Sequence, residues 1–139
     1  MTGANVREAV PFFRVADMQA SLKFYVDGLG FQLHQWWDPD GSIRWCSIRK
    51  DAPGLMLQDL RGEDGRVHPL ESKPGVGVSV MFMCDDALAI YHEAKARGLT
   101  PRRPFVGNGM WVTSFVDPDG YCVEFESATD APEESEYDG

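Results

Sequence analysis

The order of predicted strands and helices in this chain occurs twice, and an internal repeat of this kind leaves few folds open. Alternating apolar residues predict strands at about residues 6–15, 31–37, 43–48 and 54–60, with a helix after the first strand. After a linker at 61–75, strands are predicted at about 77–84, 100–105, 110–116 and 121–126, again with a helix after the first. The sequence therefore predicts an α+β chain of two βαβββ modules, at about residues 6–60 and 76–126.

Both predicted helices have recognisable ends. Asp17 offers a carboxylate N-cap to the first helix, and either Asp85 or Asp86 offers one to the second. Gly28 ends the first helix and Gly98 ends the second, since glycine readily adopts the conformation that follows a helix. Start and stop signals thus agree with the strand pattern around them.

The last two predicted strands form a hairpin. Pro118 suits the second position of a type I turn, and Gly120 allows the positive φ that closes it. The apolar residues after the turn alternate along one face: Tyr121, Val123 and Phe125. Glu124 therefore lies on the other face, where a carboxylate is a solvated surface residue unless other residues join it in a metal or acid–base site.

The length and composition predict one domain, over residues 1–127. The chain has 139 residues, of which 43% are hydrophobic, and a domain of this size buries about two thirds of its unfolded surface. The beginning of the chain lacks a basic region followed by an apolar one, and no apolar run is long enough to span a membrane. The cysteines are far apart in apolar runs and are expected to be reduced: Cys46, Cys84 and Cys122. We therefore expect a cytoplasmic protein without a membrane partner.

The net charge of −9 argues against a nucleic-acid partner, because binding to phosphates requires a basic face. Part of this charge lies in residues 128–139, which are rich in Asp and Glu and poor in apolar residues. That composition predicts an acidic, disordered tail that improves solubility.

Three phrases of the sequence, in this order and spacing, resemble the vicinal oxygen chelate superfamily, which includes glyoxalase I, extradiol dioxygenases and the fosfomycin and bleomycin resistance proteins. They are FRVADM at 13–18, FY through LGF at 24–31, and FVDPDGY at 115–121. The resemblance covers about residues 6–126. It implies two curved mixed sheets around a cleft, and a homodimer, which would also protect open sheet edges.

The resemblance also allows a test for a metal site. In the metal enzymes of the superfamily, four strands each direct one His, Gln or Glu into the cleft, and the matching positions here are Val10, Gly54 or its neighbour, Ser79 and Glu124. Only Glu124 is an ordinary metal ligand, whereas a catalytic divalent ion normally has three protein ligands. No two of the histidines share a strand face or a helical i, i+4 spacing: His34, His68 and His92. We predict no metal of the family type and no cofactor.

The remaining candidates for the cleft are mostly apolar or aromatic, and each of these is equally a candidate for the core. Alternation along the strands gives ten candidate ligand-binding residues: Phe12, Trp37, Trp45, Met56, Gln58, Ser79, Met81, Trp111, Thr113 and Glu124. Trp36 and Met83 are further candidates for its walls. Aromatic rings and methionines suit flat or irregular ligands, and Glu124 would act as a proton acceptor or as an anchor for a cation.

Two functions follow from these residues. The first is a metal-free, small-molecule-binding protein that resembles the bleomycin resistance branch and sequesters an aromatic or cationic compound, as in antibiotic resistance. The stretch 107–111 lacks the Pro-Trp-Gly phrase typical of that branch, which argues against bleomycin itself. The second is a lyase, isomerase or dioxygenase that uses Glu124 as a base or in an atypical metal site, although a general base alone contributes only about 10²–10⁴-fold.

Overall fold

The first half of the chain forms a four-stranded mixed sheet with one helix. The structure, a computed structural model, describes residues 3, 5–61, 64–66 and 72–139. Module 1 consists of β1 (Phe12–Val15), α1 (Met18–Leu22) with a π-helical continuation (Lys23–Gly28), β2 (Gln32–Trp37), β3 (Trp45–Arg49) and β4 (Gly54–Asp59). Its strand order is β1-β4-β3-β2, in which β1 runs parallel to β4 and the other pairs are antiparallel.

The second half repeats this topology. Module 2 consists of β5 (Ser79–Met83), α2 (Ala87–Ala96), β6 (Phe105–Gly107), β7 (Met110–Val116) and β8 (Cys122–Ala128), in the order β5-β8-β7-β6. Strand β5 is parallel to β8, as β1 is to β4. The prediction of an α+β fold with two βαβββ modules is therefore confirmed.

The helix starts agree with the sequence, whereas two strands begin well after the predicted start, the first of them at Phe12 and not at residue 6. The N-cap carboxylates of Asp17 and Asp86 accept hydrogen bonds from backbone N–H groups three residues later, at 3.1 and 3.0 Å. The strand predicted at 100–105 instead begins at Phe105. Pro101 and Pro104 lack the N–H that a sheet ladder requires, which accounts for the later start.

One apolar core joins the modules on the helix side of both sheets. The rings of Phe13 and Tyr121 stack with centroids 3.8 Å apart, and those of Phe31 and Phe82 meet edge to face at 5.8 Å. The opposite face of each sheet carries no helix formed by the described residues. Within the described part of the chain, no helix is long and apolar enough to cross a membrane.

The C-terminal strap, residues 129–139, lies along the outer edge of β6. Val106 exchanges backbone hydrogen bonds of 2.9 Å with Glu134 and Ser135, and the Tyr137 N–H donates to Pro104 O at 2.9 Å. The Tyr137 hydroxyl is 2.8 Å from His92 Nε2, and its ring packs edge to face on Trp111. This arrangement differs from the disordered tail that the composition predicts, because an open strand edge and an aromatic anchor hold the acidic segment.

Candidate functional site

The helix-free face of module 1, which we call face 1, carries aromatic and basic side chains. Strand register aligns four of its residues in one row across the sheet: Arg14, Gln58, Trp45 and Trp37. The adjacent row consists of Phe12, Met56, Ser47 and Gln35. A register shift between Leu33 and Gln35 keeps Gln35 and Trp37 on this face.

Face 1 is open, and both aromatic rings and arginines are accessible on it. Phe12 is 47% exposed and Trp37 is 52% exposed, so both rings are accessible to a ligand. The Arg44 guanidinium lies 5.3 Å from the centre of the Trp37 ring, where it holds the ring by a cation–π contact. Arg14 and Arg49 are exposed on this face, and none of the strand residues that share it is acidic.

The helix-free face of module 2, which we call face 2, carries methionines and carboxylates. Its three rows are Ser79, Cys122 and Val116, then Met81, Glu124 and Ser114, then Met83, Glu126 and Val112. Met81 and Met83 are 52% and 62% exposed. No strand of this sheet contains Lys or Arg, and the nearby Arg102 lies with its guanidinium 5.5 Å from the centre of the Phe105 ring.

Glu124 lies half-buried in the middle row of face 2. Its Oε2 accepts a hydrogen bond from Ser114 Oγ at 2.6 Å, and Met81 is its neighbour on β5. Beside it, burial raises the pKa of the Cys122 thiol, although a hydrogen bond with Ser79 opposes the shift, so that the thiol stays protonated near neutral pH. Face 2 therefore offers one carboxylate with a neutral partner, next to an unreactive thiol.

Eight of the ten predicted site residues lie on these two faces, and two do not. Trp111 and Thr113 share a face, as predicted, but it is the helix side of the sheet. Thr113 Oγ1 donates to Ala87 O at 2.8 Å beneath α2, and Trp111 packs against Tyr137 of the strap. Trp36 likewise faces away from face 1, because it pairs with the buried Cys46. Alternation predicted correctly which residues share a face of the strand, but it did not predict which of the two faces the helix covers.

The register also identifies the module 1 counterpart of Glu124. Glu124 and Ser114 are the third residue pair from the turn between β7 and β8, and Met56 and Ser47 are the third pair from the turn between β3 and β4. The ligand position that the sequence placed at or next to Gly54 therefore falls on Met56. The four positions then hold Val10, Met56, Ser79 and Glu124. Only Glu124 is of a ligand type that the family uses, and one carboxylate does not supply the three protein ligands of a catalytic divalent ion. Among the described residues, no group of three or more His, Cys, Asp or Glu could hold a metal. His34 and His92 are exposed, and His68 lies outside the described residues.

Among the described residues, the most deeply buried carboxylates belong to the turn between β7 and β8, which sequence reasoning treated only as a turn. Asp117 accepts hydrogen bonds from the Tyr25 hydroxyl at 2.6 Å and from the N–H groups of Asp119 and Tyr121 at 2.9 Å. Asp119 Oδ1 accepts from the Ala16 N–H at 3.0 Å. Burial raises the pKa of Asp117 despite these bonds, and burial beside Asp117 raises the pKa of Tyr25. This buried cluster ties the two modules together and lies away from both faces.

Comparisons with known proteins agree with this geometry. Residues 9–125 match the model of the glyoxalase/bleomycin resistance protein/dioxygenase superfamily. UcmS2 superposes with a TM-score of 0.71 at 19% identity, covering 90% of this chain and 100% of that one. The bleomycin resistance determinant encoded on transposon Tn5 gives 0.68 at 20% identity, with coverage of 91% and 100%. A bleomycin-binding protein complexed with bleomycin gives 0.67 at 21% identity, with coverage of 88% and 98%. No curated protein sequence matches the chain.

Proposed function

Because the chain belongs to the glyoxalase/bleomycin resistance protein/dioxygenase superfamily, we propose that it is a metal-free binding protein that sequesters a small aromatic or cationic compound. Antibiotic resistance is the biological role that this function suggests. The observation that carries the proposal is the pair of open sheet faces, on which large apolar side chains surround a few charged groups. A similar protein of known structure is a bleomycin-binding protein in complex with bleomycin. The three cysteines form no disulfide. A cytoplasmic location stays a prediction.

The proposal includes a homodimer, because each face is too open to enclose a ligand by itself. In a twofold dimer, face 1 of each copy meets face 2 of its partner, so that basic and acidic walls oppose each other. Contact of like faces would instead bring Arg14 and Arg49 near their own copies, and Glu124 and Glu126 near theirs. Charge therefore favours the crossed arrangement, in which both copies contribute to each cleft.

Proflavine, a planar aromatic cation, is a suitable probe of this function. We expect it to quench tryptophan fluorescence saturably, with one site for each chain, in a protein that sedimentation shows to be a dimer. Glu124→Gln should weaken binding by about tenfold, since each 1.4 kcal/mol corresponds to that factor. Glu93→Gln, which removes an exposed carboxylate from α2, is the matched control and should leave the affinity unchanged.

Three outcomes would overturn parts of the proposal. A monomer without saturable binding would contradict the composite cleft. A stoichiometric, tightly held Zn, Ni, Mn or Fe in protein purified without chelator would contradict the metal-free site. Chemical turnover of a bound compound that is lost in Glu124→Gln would favour the alternative, a lyase, isomerase or dioxygenase in which Glu124 acts as the base.

A further inference from the structure

The two candidate faces carry charges of opposite sign on the same apolar background. Face 1 contributes Arg14 and Arg49 from its strands, and face 2 contributes Glu124 and Glu126. All four side chains point to the helix-free side of their sheet, as the strand register requires. Opposite walls of one cleft would therefore present a cationic group and an anionic group to the same ligand.

Among the described residues, neither pair of charges is held in an ion pair on its own face. The Arg14 guanidinium donates to the backbone carbonyl of Asp59 at 3.4 Å, a neutral acceptor. Glu124 accepts from the neutral hydroxyl of Ser114. Among the described residues, Arg14, Arg49, Glu124 and Glu126 form no ion pair. Enclosing such charges in a cleft is costly unless each of them gains a partner of opposite sign.

The groups beside the charges are suited to an aromatic body. On face 1, Gln58, Trp45 and Trp37 continue the row that begins at Arg14, and Trp37 is held by Arg44. On face 2, Met81 lies beside Glu124, and its thioether tolerates rings of different shape. A ring held between these walls would place its substituents toward Arg14 on one side and toward Glu124 on the other.

We infer that the ligand is a bipolar aromatic compound, whose cationic group is bound by Glu124 and Glu126 and whose anionic group is bound by Arg14. This inference rests on the proposed function, because the two faces reach one ligand only when they line a common cleft. It narrows the class from aromatic or cationic compounds to those that carry both charges. A purely cationic aromatic would leave the arginines of face 1 without a partner.

A matched set of small probes tests the inference by calorimetry and tryptophan fluorescence. Benzylamine carries only the cation, benzoate carries only the anion, and 4-(aminomethyl)benzoate carries both on the same ring. A longer homologue, 4′-(aminomethyl)biphenyl-4-carboxylate, allows for a wider separation of the walls. We expect one of the two bipolar probes to bind at least about tenfold more tightly than either singly charged probe, because it gains a second charge-assisted contact.

Substitutions assign each end of the probe to a wall. In Arg14→Gln, the bipolar probe should bind no more tightly than benzylamine. In Glu124→Gln, it should bind no more tightly than benzoate. Arg103→Gln and Glu93→Gln change exposed charges outside both faces and should alter neither ratio. The Arg14 backbone groups bond the Tyr121 hydroxyl whatever the side chain, so Arg14→Gln should fold normally.

Two results would overturn the inference. If benzylamine or proflavine binds as tightly as both bipolar probes, and Arg14→Gln changes no affinity, the anionic group is not recognised, although the binding function stands. If Arg14→Gln instead weakens dimerisation with no effect on probe selectivity, the opposite charges pair directly between the copies. Loss of binding by every probe, proflavine included, would count against the proposed function itself.

Discussion

The two Asp-Pro-Asp-Gly turns have the same four residues and very different surroundings. In the turn at 38–41, all residues are exposed, and Asp40 forms a surface ion pair with Arg61 at 3.3 Å. In the turn at 117–120, Asp117 and Asp119 are only 3% and 4% exposed and bond to groups of module 1. Gly75 packs so closely on this second turn that a Cβ there would collide with the backbone of Gly120 and Tyr121. Local sequence sets the shape of a turn, whereas distant residues decide whether it supports the fold.

The modules differ in the same way at their outer edges. Strand β6 of module 2 is paired with the C-terminal strap, and the Glu133 carboxylate accepts from the N–H groups of the next turn, Asn108 and Gly109. Strand β2 of module 1 has no such neighbour among the described residues, and it carries the exposed Trp36 and Trp37. One topology therefore supports a covered edge and an open one.

The turns should differ most in their contribution to stability. Asp117→Ala leaves the Tyr25 hydroxyl and two backbone N–H groups buried without an acceptor, at about 1–3 kcal/mol each, so we expect a loss of at least ~3 kcal/mol. Asp38→Ala, at the same position of the exposed turn, should cost less than about 0.5 kcal/mol. Urea unfolding of both variants measures the difference, and equal losses would mean that the buried cluster does not tie the modules together.

The two outer sheet edges should differ less than the turns do in their contribution to the free energy of unfolding. Tyr137→Ala removes the ring that packs on Trp111 and Tyr91 and the hydroxyl that bonds His92, and we expect it to lower the free energy of unfolding by about 1–2 kcal/mol. Trp36→Ala on the open edge should cost less than about 1 kcal/mol, since half of its surface is already in water. Thermal unfolding, combined with amide exchange at Val106, tests this order. Rapid exchange at Val106 in the unmodified protein would contradict a docked strap.

The smallest effect concerns the pH dependence of the buried turn. Burial raises the pKa of Asp117 above its ordinary value of 3.8, so the native state binds this proton more tightly than the unfolded state does. The stabilisation that results is fully present below the pKa that Asp117 has in the unfolded chain. It is lost as the pH rises through the higher pKa that Asp117 has in the native state. Asp117→Asn cannot ionise, and its melting temperature relative to the original protein should rise over that interval. A relative fall in the melting temperature of Asp117→Asn over the same interval would reverse the sign assigned to burial.

Prediction from sequence succeeded where a short-range pattern has one structural solution. Period-two alternation and capping carboxylates identified both modules, and β7 occurs at the predicted residues 110–116. The same alternation grouped Trp111 with Thr113 correctly but assigned them to the cleft. A strand of period two has two equivalent faces, and the position of α2 over one of them depends on packing that no local pattern encodes.

The strap illustrates the opposite limitation. Its composition predicts disorder because charge and chain entropy outweigh the few apolar residues in the segment itself. That reasoning omits the unpaired edge of β6 and the aromatic site formed by Trp111, Tyr91 and His92, both of which are assembled from other parts of the chain. Their contacts with Tyr137 become available only after module 2 has folded.

The sequence by itself determined the two βαβββ modules, their turns and the outward direction of Glu124 from the apolar face of its strand, because each depends on residues a few positions apart. Only the tertiary structure decided which turn is buried, which edge is covered and which candidate residues share a face with Glu124. These features depend on contacts such as that between Tyr25 and Asp117, which are far apart in the chain. The free energy of such contacts comes from burial and from satisfying polar groups in three dimensions, which alternation along a strand does not specify.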